Sequence, residues 1–317
     1  MVNPRKFLLT FDVEDFINPN AISALHEILE ILEEYKLRAI FFITGLMAEK
    51  ISNYPKIIEQ LKNHKIGYHS SSHSVRPIIP EYTDVKSYKE AYEISIQRET
   101  SHINPLTGKI EGEGGIYFLR DLFYPKKVEA FRAPGMCWTP PHLEALRDLG
   151  IKYDFSSGLT FSQPILHKGI VFYPFTVTQK WDGSFYDYEC LLTSILKNKV
   201  TVLDIHPTLL VNRIMWDSIY YKGNPKALLR SPRRSSKEIT YLLRKFKLLI
   251  RQINLLRKGK IIETEPKLEV LSKRLNVNGK RIKEWYNMSM SWARNLFGCN
   301  PKFILNHFYE FFNEKHQ

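Results

Sequence analysis

The sequence predicts an α/β fold built on a parallel sheet, and three observations support this prediction. Short apolar runs with strand character alternate with amphipathic segments of helical periodicity, which is the pattern of βαβ units. Acidic residues and histidines directly follow several of these runs, at the strand ends where α/β folds carry their functional groups. The composition, 44% hydrophobic and 25% charged, is that of a folded globular protein.

The predicted elements begin with two strands that enclose a helix. Residues 6–12 and 38–44 are apolar, β-branched or aromatic runs, and the segment between them has apolar residues at helical spacing. A second helix begins near Pro55, and a short strand is predicted at 65–68. These segments make the first βαβ units of the fold.

The alternation of strands and helices resumes beyond an insertion predicted at about 82–125, which contains a helix and a Gly-rich loop. A helix at 141–149 ends at Gly150, a residue type favoured just after helix C-termini. The further strands of the core are predicted at 128–132, 151–155, 170–175 and 201–206.

Two polar segments at predicted strand ends have the composition of a divalent metal site. The first strand runs into TFDVED, with Asp12, Glu14 and Asp15, and the third strand leads into HSSSH, with His69 and His73. Two imidazoles and one carboxylate supply three protein ligands and leave a coordination position for water or substrate, as hydrolytic metal sites do. A solvated polar loop is the alternative interpretation of HSSSH alone, so the metal hypothesis depends on further motifs.

Basic residues are concentrated in the C-terminal third, which predicts a domain boundary near residue 220. Of the net charge of +13, residues 220–317 hold 22 Lys and Arg against 7 Asp and Glu, whereas residues 1–219 hold 24 against 26. The segment 238–257 reads as a basic amphipathic helix, which either contacts an anionic membrane surface or covers the main domain. Nucleic acid is not favoured as a partner, because no recognised binding motif accompanies the charge.

The sequence favours a cytoplasmic protein, with the option of peripheral contact at the inner face of a membrane. The first apolar run is too short for the core of a signal peptide, and no segment approaches the roughly 20 apolar residues of a membrane span. The three cysteines are widely scattered and form neither a disulfide framework nor a CxxC knuckle. A reducing compartment is the simplest expectation.

Five short motifs occur in a fixed order at the predicted strand ends: TFDVED, HSSSH, FRAPG, YDFSS and LDIHP. Together they resemble the polysaccharide deacetylase family, the NodB-homology domains of carbohydrate esterase family four, over roughly residues 5–210. The resemblance implies a distorted or incomplete (β/α) barrel. Together with the charge boundary near residue 220, it predicts a catalytic domain at 1–219 and a basic helical extension at 220–317. It also implies hydrolysis of the acetyl group from an N-acetylated sugar with a divalent metal, most often Zn²⁺, with Co²⁺, Mn²⁺, Ni²⁺ or Fe²⁺ as alternatives.

The resemblance assigns a role to each motif residue. Asp12 would deprotonate the attacking water, Arg132 would pair with Asp12 and hold it ionised, and His206 would protonate the leaving nitrogen. His69 and His73 match the two metal-binding histidines of the family.

Three assignments depart from the commonest family pattern or stay open. Glu14 is the first choice for the carboxylate ligand, because it shares a strand face with Asp12, and Asp15 is the alternative if the chain turns after Val13. Asp154 lies near the fourth motif and would polarise His206, a role for which Asp204 competes. The third motif has Gly135 where an aromatic residue is usual, so Pro134 and Trp138 are the candidates for the wall of the substrate pocket.

The predicted function is a metal-dependent N-deacetylase of an amino sugar in surface-polysaccharide or glycoconjugate synthesis. The DVED form of the first motif resembles a subgroup of the family that is linked to exopolysaccharide and surface-glycan synthesis. A phosphate- or lipid-linked saccharide is the expected substrate. A cyclic imide or ureide amidohydrolase on the same fold is an alternative, and so is a non-catalytic glycan-binding or scaffolding member.

Overall fold

The computed structural model describes residues 4–156, 163–174, 176–223, 227–269 and 278–313. Within them, ten strands form one sheet in the order β10-β11-β1-β2-β3-β6-β7-β9-β8, and β12 pairs with β1. All pairs in this sheet are parallel except β8 with β9. The strands, with a separate hairpin of β4 and β5, are β1 (Arg5–Val13), β2 (Ile40–Ile43), β3 (Lys65–Tyr68), β4 (Ser101–Ile103), β5 (Ile110–Glu113), β6 (Ala130–Phe131), β7 (Tyr153–Asp154), β8 (Ile165–His167), β9 (Ile170–Phe172), β10 (Val177–Thr178), β11 (Val200–Ile205) and β12 (Ile262–Glu263).

The helices connect the strands and extend beyond the last long one. None of the described helices is long and apolar enough to cross a membrane. The helices are α1 (Asn20–Glu34), α2 (Gly45–Ile51), α3 (Pro55–Leu61), α4 (Ile79–Tyr82), α5 (Tyr88–Glu99), α6 (Gly115–Leu122), α7 (Pro140–Asp148), α8 (Tyr188–Lys197), α9 (Thr208–Val211), α10 (Trp216–Gly223), α11 (Ser236–Lys258), α12 (Gly279–Phe297) and α13 (Ile304–Asn313).

The sheet curls into an incomplete barrel, as predicted. Its two end strands, β10 and β8, do not pair with each other within the described residues, so the sheet stays open. β1 lies between β2 and β11, and its last seven residues are buried, as expected of a parallel strand covered on both faces. The α/β prediction with alternating strands and helices is therefore confirmed.

The parallel arrangement brings the carboxyl ends of five strands to one edge of the sheet. Thr10 of β1 is in register with Asp204 of β11, and Asp12 is in register with Phe42 of β2. On the other side, Tyr68 of β3 is in register with Phe131 of β6. The motif residues that follow these strands consequently lie together, although more than 190 positions separate Asp12 from His206 in the sequence.

The segment between β3 and β6 supports the histidine loop from behind. Glu99, at the end of α5, is fully buried and accepts hydrogen bonds from Tyr68 (2.6 Å) and Tyr82 (3.0 Å). It also accepts a hydrogen bond from the backbone N–H of Ser71 (2.9 Å), in the middle of the loop, and lies 3.0 Å from Nε2 of His142. Since a buried carboxylate needs such partners, these hydrogen bonds anchor the centre of the histidine loop to the end of α5.

Residues from both sides of position 220 contribute to one hydrophobic cluster. Phe246 of α11 meets Phe11 of β1 edge to face, with ring centroids 6.1 Å apart. Trp285 of α12 packs on Trp138 at 5.7 Å, and β12 extends the sheet beside the start of β1. The division into domains at 1–219 and 220–317 stays a prediction.

Candidate metal centre and active site

Glu14, His69 and His73 form a compact, buried group of potential metal ligands. Oε2 of Glu14 lies 3.0 Å from Nε2 of His69 and 2.8 Å from Nε2 of His73. All three residues are at most 5% exposed, and one ligand atom from each lies within 4.8 Å of the other two. The structure therefore brings together Glu14 and the two histidines that the sequence singled out.

The hydrogen bonds behind the histidines orient both rings with Nε2 toward Glu14. Nδ1 of His69 donates to the backbone carbonyl of Arg132 (2.7 Å), which can only accept, so this nitrogen carries the proton. Nδ1 of His73 lies 2.5 Å from the hydroxyl of Ser74. Metal-binding histidines usually hold their second nitrogen in this way, which fixes the tautomer and leaves Nε2 as the ligand atom.

Trp216 at the start of α10 completes the surroundings of this group. Its indole N–H donates to Oε1 of Glu14 (3.0 Å), and its ring lies 5.2 Å from that of His73. Burial alone would raise the pKa of Glu14, but His73 and His69 outweigh this effect and hold the pKa well below its ordinary value. An ionised carboxylate and two imidazoles that turn Nε2 toward it are a donor set that fits a divalent metal such as zinc.

A second buried group lies next to the first and contains Asp12, Asp204 and His206. Arg132 is fully buried and donates from Nη1 to Asp12 (2.7 Å) and to Asp204 (2.5 Å), and from Nη2 to Thr10 (2.9 Å). Burial would lower the pKa of Arg132, but the two carboxylates outweigh this effect and raise it. Because a fixed guanidinium already pairs with both carboxylates of this group, it is the poorer candidate for the metal.

His206 is the member of this second group that lies nearest to open space. Its Nε2 lies 3.8 Å from Oδ2 of Asp12, and its side chain is 12% exposed. Burial would lower the pKa of His206, but Asp204, Glu14 and Asp12 together raise it above its ordinary value. A histidine with a raised pKa holds its proton to higher pH, which suits a general acid.

Both groups open into the same cavity, with a volume of about 240 Å³. Its wall also contains Trp181, which is 61% exposed and whose ring lies 6.0 Å from that of His206. Such a cavity has room for a small polar ring compound beside an exposed aromatic side chain. The remaining lining residues are Asp12, Glu14, His73, Ala133, Gly135, Met136, Thr178, Asp204, Met215 and Asp217.

Asp15, the alternative ligand, points away from the histidines into a closed hydrogen-bond network. Its carboxylate accepts from the backbone and side-chain amides of Asn18 (2.9 Å), from the hydroxyl of Thr208 (2.5 Å) and from the amide of Asn212 (3.3 Å). Glu14, not Asp15, is therefore the carboxylate that the fold places beside His69 and His73.

Asp154 does not contact His206, contrary to the role expected for it. It lies at the end of β7, where it accepts from the hydroxyl (2.7 Å) and the backbone N–H (3.0 Å) of Ser156. The Ser156 hydroxyl in turn accepts from the N–H of Ala133 (2.7 Å), so Asp154 supports the loop after Arg132. Burial raises the pKa of Asp154 to about 7. The competing residue, Asp204, is the one that lies beside His206.

Trp138 and Pro134 do not line the cavity, which corrects the expected pocket wall. Trp138 is fully buried and packs on Trp285 and Phe308, with ring centroids 5.7 and 5.0 Å away. Pro134 is buried as well and borders a smaller pocket behind His73. The aromatic side chain that does reach the cavity is Trp181.

Sequence reasoning missed Trp181, Trp216 and Asp217, because no motif marks them. Asp217 is fully buried, and burial raises its pKa to about 6. One of its oxygens lies 3.5 Å from the Ser74 hydroxyl, behind His73, and no hydrogen-bond partner of the other is found within the described residues. In the sequence, Trp216 and Asp217 stand out only as an aromatic and an acidic residue side by side after the last long strand.

Residues 2–113 match the family model described as polysaccharide deacetylase. No curated protein matches the chain. Similar solved structures include a CE4 family pseudoenzyme from Bacillus anthracis, with 14% identity, coverage of 86% of this chain and 67% of that chain, and a TM-score of 0.43. The catalytic domain of a peptidoglycan N-acetylglucosamine deacetylase from Eubacterium rectale has 14% identity, coverages of 88% and 96%, and a TM-score of 0.44.

A third similar structure is a Bordetella bronchiseptica protein described as a polysaccharide deacetylase involved in O-antigen biosynthesis. It has 19% identity, coverages of 78% and 90%, and a TM-score of 0.39. These three structures are distant, and the fold assignment rests on the strand order described above. The resemblance to the polysaccharide deacetylase family is confirmed by the match of residues 2–113, which include the acidic run and both histidines. The other three motifs lie outside the matched residues.

Proposed function

We propose that this protein is a metal-dependent N-deacetylase of an amino sugar. One observation carries the proposal: a buried Glu14–His69–His73 group opens into the same cavity as Asp12 and His206. Hydrolysis of an amide needs a Lewis acid, a base, and an acid that protonates the leaving amine. Glu14 and the two histidines are candidate ligands of a metal that acts as the Lewis acid. Asp12 is the candidate base, and His206 is the candidate acid.

Each residue has a separate task in this proposal. Glu14, His69 and His73 hold a divalent metal, with zinc as the first choice, which polarises the acetyl carbonyl and activates water when bound. Asp12 accepts the proton of the attacking water. Arg132, whose Nη1 lies 2.7 Å from Oδ1 of Asp12, orients this carboxylate and offsets its negative charge. His206 donates a proton to the departing nitrogen. The exposed Trp181 gives a sugar ring an apolar surface at the rim of the cavity.

The substrate in this proposal is an N-acetylated sugar of surface-polysaccharide or glycoconjugate synthesis, carried on a phosphate or a lipid. The match to a polysaccharide deacetylase family supports the sugar. The excess of basic residues after position 220 supports the anionic carrier. A cytoplasmic location and contact of residues 238–257 with an anionic membrane belong to the same proposal.

Acetate release from a panel of N-acetylated sugars, free and nucleotide-linked, tests the proposal with zinc-loaded protein. We expect release that a chelator abolishes and that zinc restores, and that is lost in Asp12→Asn but kept in Asp187→Asn, an exposed control. Zinc-loaded protein that releases acetate from no sugar would contradict the proposal. Ring opening of cyclic imides or ureides by that protein would instead support the second amidohydrolase activity.

A further inference from the structure

Helix α11 has two apolar sides, and only one of them faces the protein. The inner side is buried in the main hydrophobic cluster through Leu242, Phe246, Leu249, Ile250 and Ile253. The apolar side that made 238–257 look like a membrane-binding helix is therefore already occupied by the protein core. Any partner of α11 has to bind its opposite side.

That opposite side carries three exposed large apolar residues in one line. Tyr241, Leu248 and Leu255 are 58%, 46% and 59% exposed and occur every seven residues, so they lie on the same side of the helix. We call them the outer stripe of α11. Single exposed leucines are ordinary on a protein surface, but an aligned set marks an interaction site.

Cations flank the outer stripe, and no acidic residue interrupts them. Arg244, Arg251 and Lys258 are exposed along one side of it, and within the described part of the chain none of them has an ion pair. Lys245, on the other side, lies 5.5 Å from the ring of Tyr241. Residues 239–260 contain seven Lys and Arg and no Asp or Glu.

We propose that the outer stripe of α11 and its flanking cations dock this protein on an anionic lipid bilayer, which assigns the membrane contact proposed above for residues 238–257 to one side of the helix. Leucine and tyrosine side chains enter the boundary between headgroups and acyl chains, while the arginines and lysines contact the anionic headgroups. A second copy of this chain is the poorer partner, because a symmetric contact would bring Arg244 and Arg251 close to their own copies. Nucleic acid would use the cations but leave the two leucines exposed.

Sedimentation with vesicles of phosphatidylglycerol and phosphatidylcholine, compared with phosphatidylcholine alone, tests the proposal on the full chain. We expect the native protein to bind only the anionic vesicles and to be released by high salt. The variant Leu248→Ser/Leu255→Ser should bind at least tenfold more weakly. The variant Arg244→Glu/Arg251→Glu should lose about fivefold or more per position.

Two control variants separate this surface from general effects of apolarity and charge. Leu196→Ser removes another exposed leucine, on α8, and Lys56→Glu/Lys89→Glu makes the same charge change elsewhere on the surface. Both controls should bind anionic vesicles nearly as the native protein does. Unchanged unfolding temperatures show that the variants fold.

Three results would overturn the proposal. The first is equal binding of the leucine variant and the native protein, and the second is binding lost equally in the charge control. The third is a native protein that does not bind vesicles but forms a dimer or binds RNA, with this dimer or RNA binding lost in the outer-stripe variants. Acetate release from a soluble sugar should be the same in all these variants, so failure of the docking proposal and failure of the proposed chemistry are separate outcomes.

Discussion

Two groups of buried titratable side chains lie side by side at the carboxyl ends of the strands, and they differ in how their negative charge is balanced. In the first, Glu14 faces the Nε2 atoms of two histidines, 2.8 and 3.0 Å away, and the indole N–H of Trp216. Within the described residues it pairs with no Lys or Arg. In the second, Asp12 and Asp204 share the guanidinium of Arg132. The first group can accept a divalent cation, whereas the second has a permanent cation and keeps Asp12 and His206 available for proton transfer.

The largest expected effect comes from removing either proton-transfer group. Asp12→Asn and His206→Ala should each lower kcat for deacetylation by roughly 10²- to 10⁴-fold, the range typical of general acid–base catalysis. Because neither residue belongs to the first group, both variants should bind metal as the native protein does. Loss of metal from either variant would contradict the separation of the two groups.

Removing the positive charge of Arg132 should lower the stability of the folded protein. Arg132→Met leaves two buried carboxylates without their cation, which typically costs about 3–5 kcal/mol of unfolding free energy. Denaturant unfolding measures this loss, with the exposed Arg38→Met as the control. If Arg132→Met is as stable as the control, then Arg132 does not balance these carboxylates.

A smaller effect is expected from the hydrogen bonds behind the first group. Trp216→Phe removes the donor to Glu14, and Ser74→Ala removes the hydroxyl next to His73. Each should weaken metal affinity by about 10- to 100-fold, as changes behind metal ligands typically do. Competition with a metal-sensitive dye measures it, and Tyr241→Phe on α11 is the control. Unchanged affinity in both variants would show that these contacts do not orient the ligands.

The smallest effect is a shift in pH dependence. Among the charges around His206, Asp204 does the most to raise its pKa, against the effect of burial. Since the general acid works in its protonated form, the alkaline limb of kcat should lie above pH 6.5, the ordinary pKa of histidine. In Asp204→Asn the pKa of His206 falls, so this limb should move to lower pH. A limb that stays in place would mean that another group sets it.

The sequence predicted the parts of the site that lie within motifs at strand ends. Glu14, His69 and His73 could be placed near one another because a parallel sheet brings the residues after its strands to one edge, and periodicity reveals the strands. The choice between Glu14 and Asp15 needed the structure, because Asp15 is engaged by Asn18 and Thr208, the latter 193 positions away.

The incorrect expectations share a physical cause. Asp154 ends a strand and Trp138 follows one, but tertiary packing turns Asp154 to Ser156 and buries Trp138 against α12 and α13. Trp181 and Asp217 line the cavity, and Trp216 donates to Glu14, from segments without a motif. Residues that act through long-range contacts leave no periodic or spacing signal in a single sequence.

Metal content of matched variants tests the central claim most directly. Purified native protein, Glu14→Gln, His73→Ala, Asp204→Asn and His206→Ala would be loaded with zinc, dialysed and analysed for bound metal. We predict one equivalent in the native protein and in the two variants of the second group, and none in Glu14→Gln and His73→Ala. Metal retained by His73→Ala and lost from His206→Ala would contradict the assignment of the metal centre.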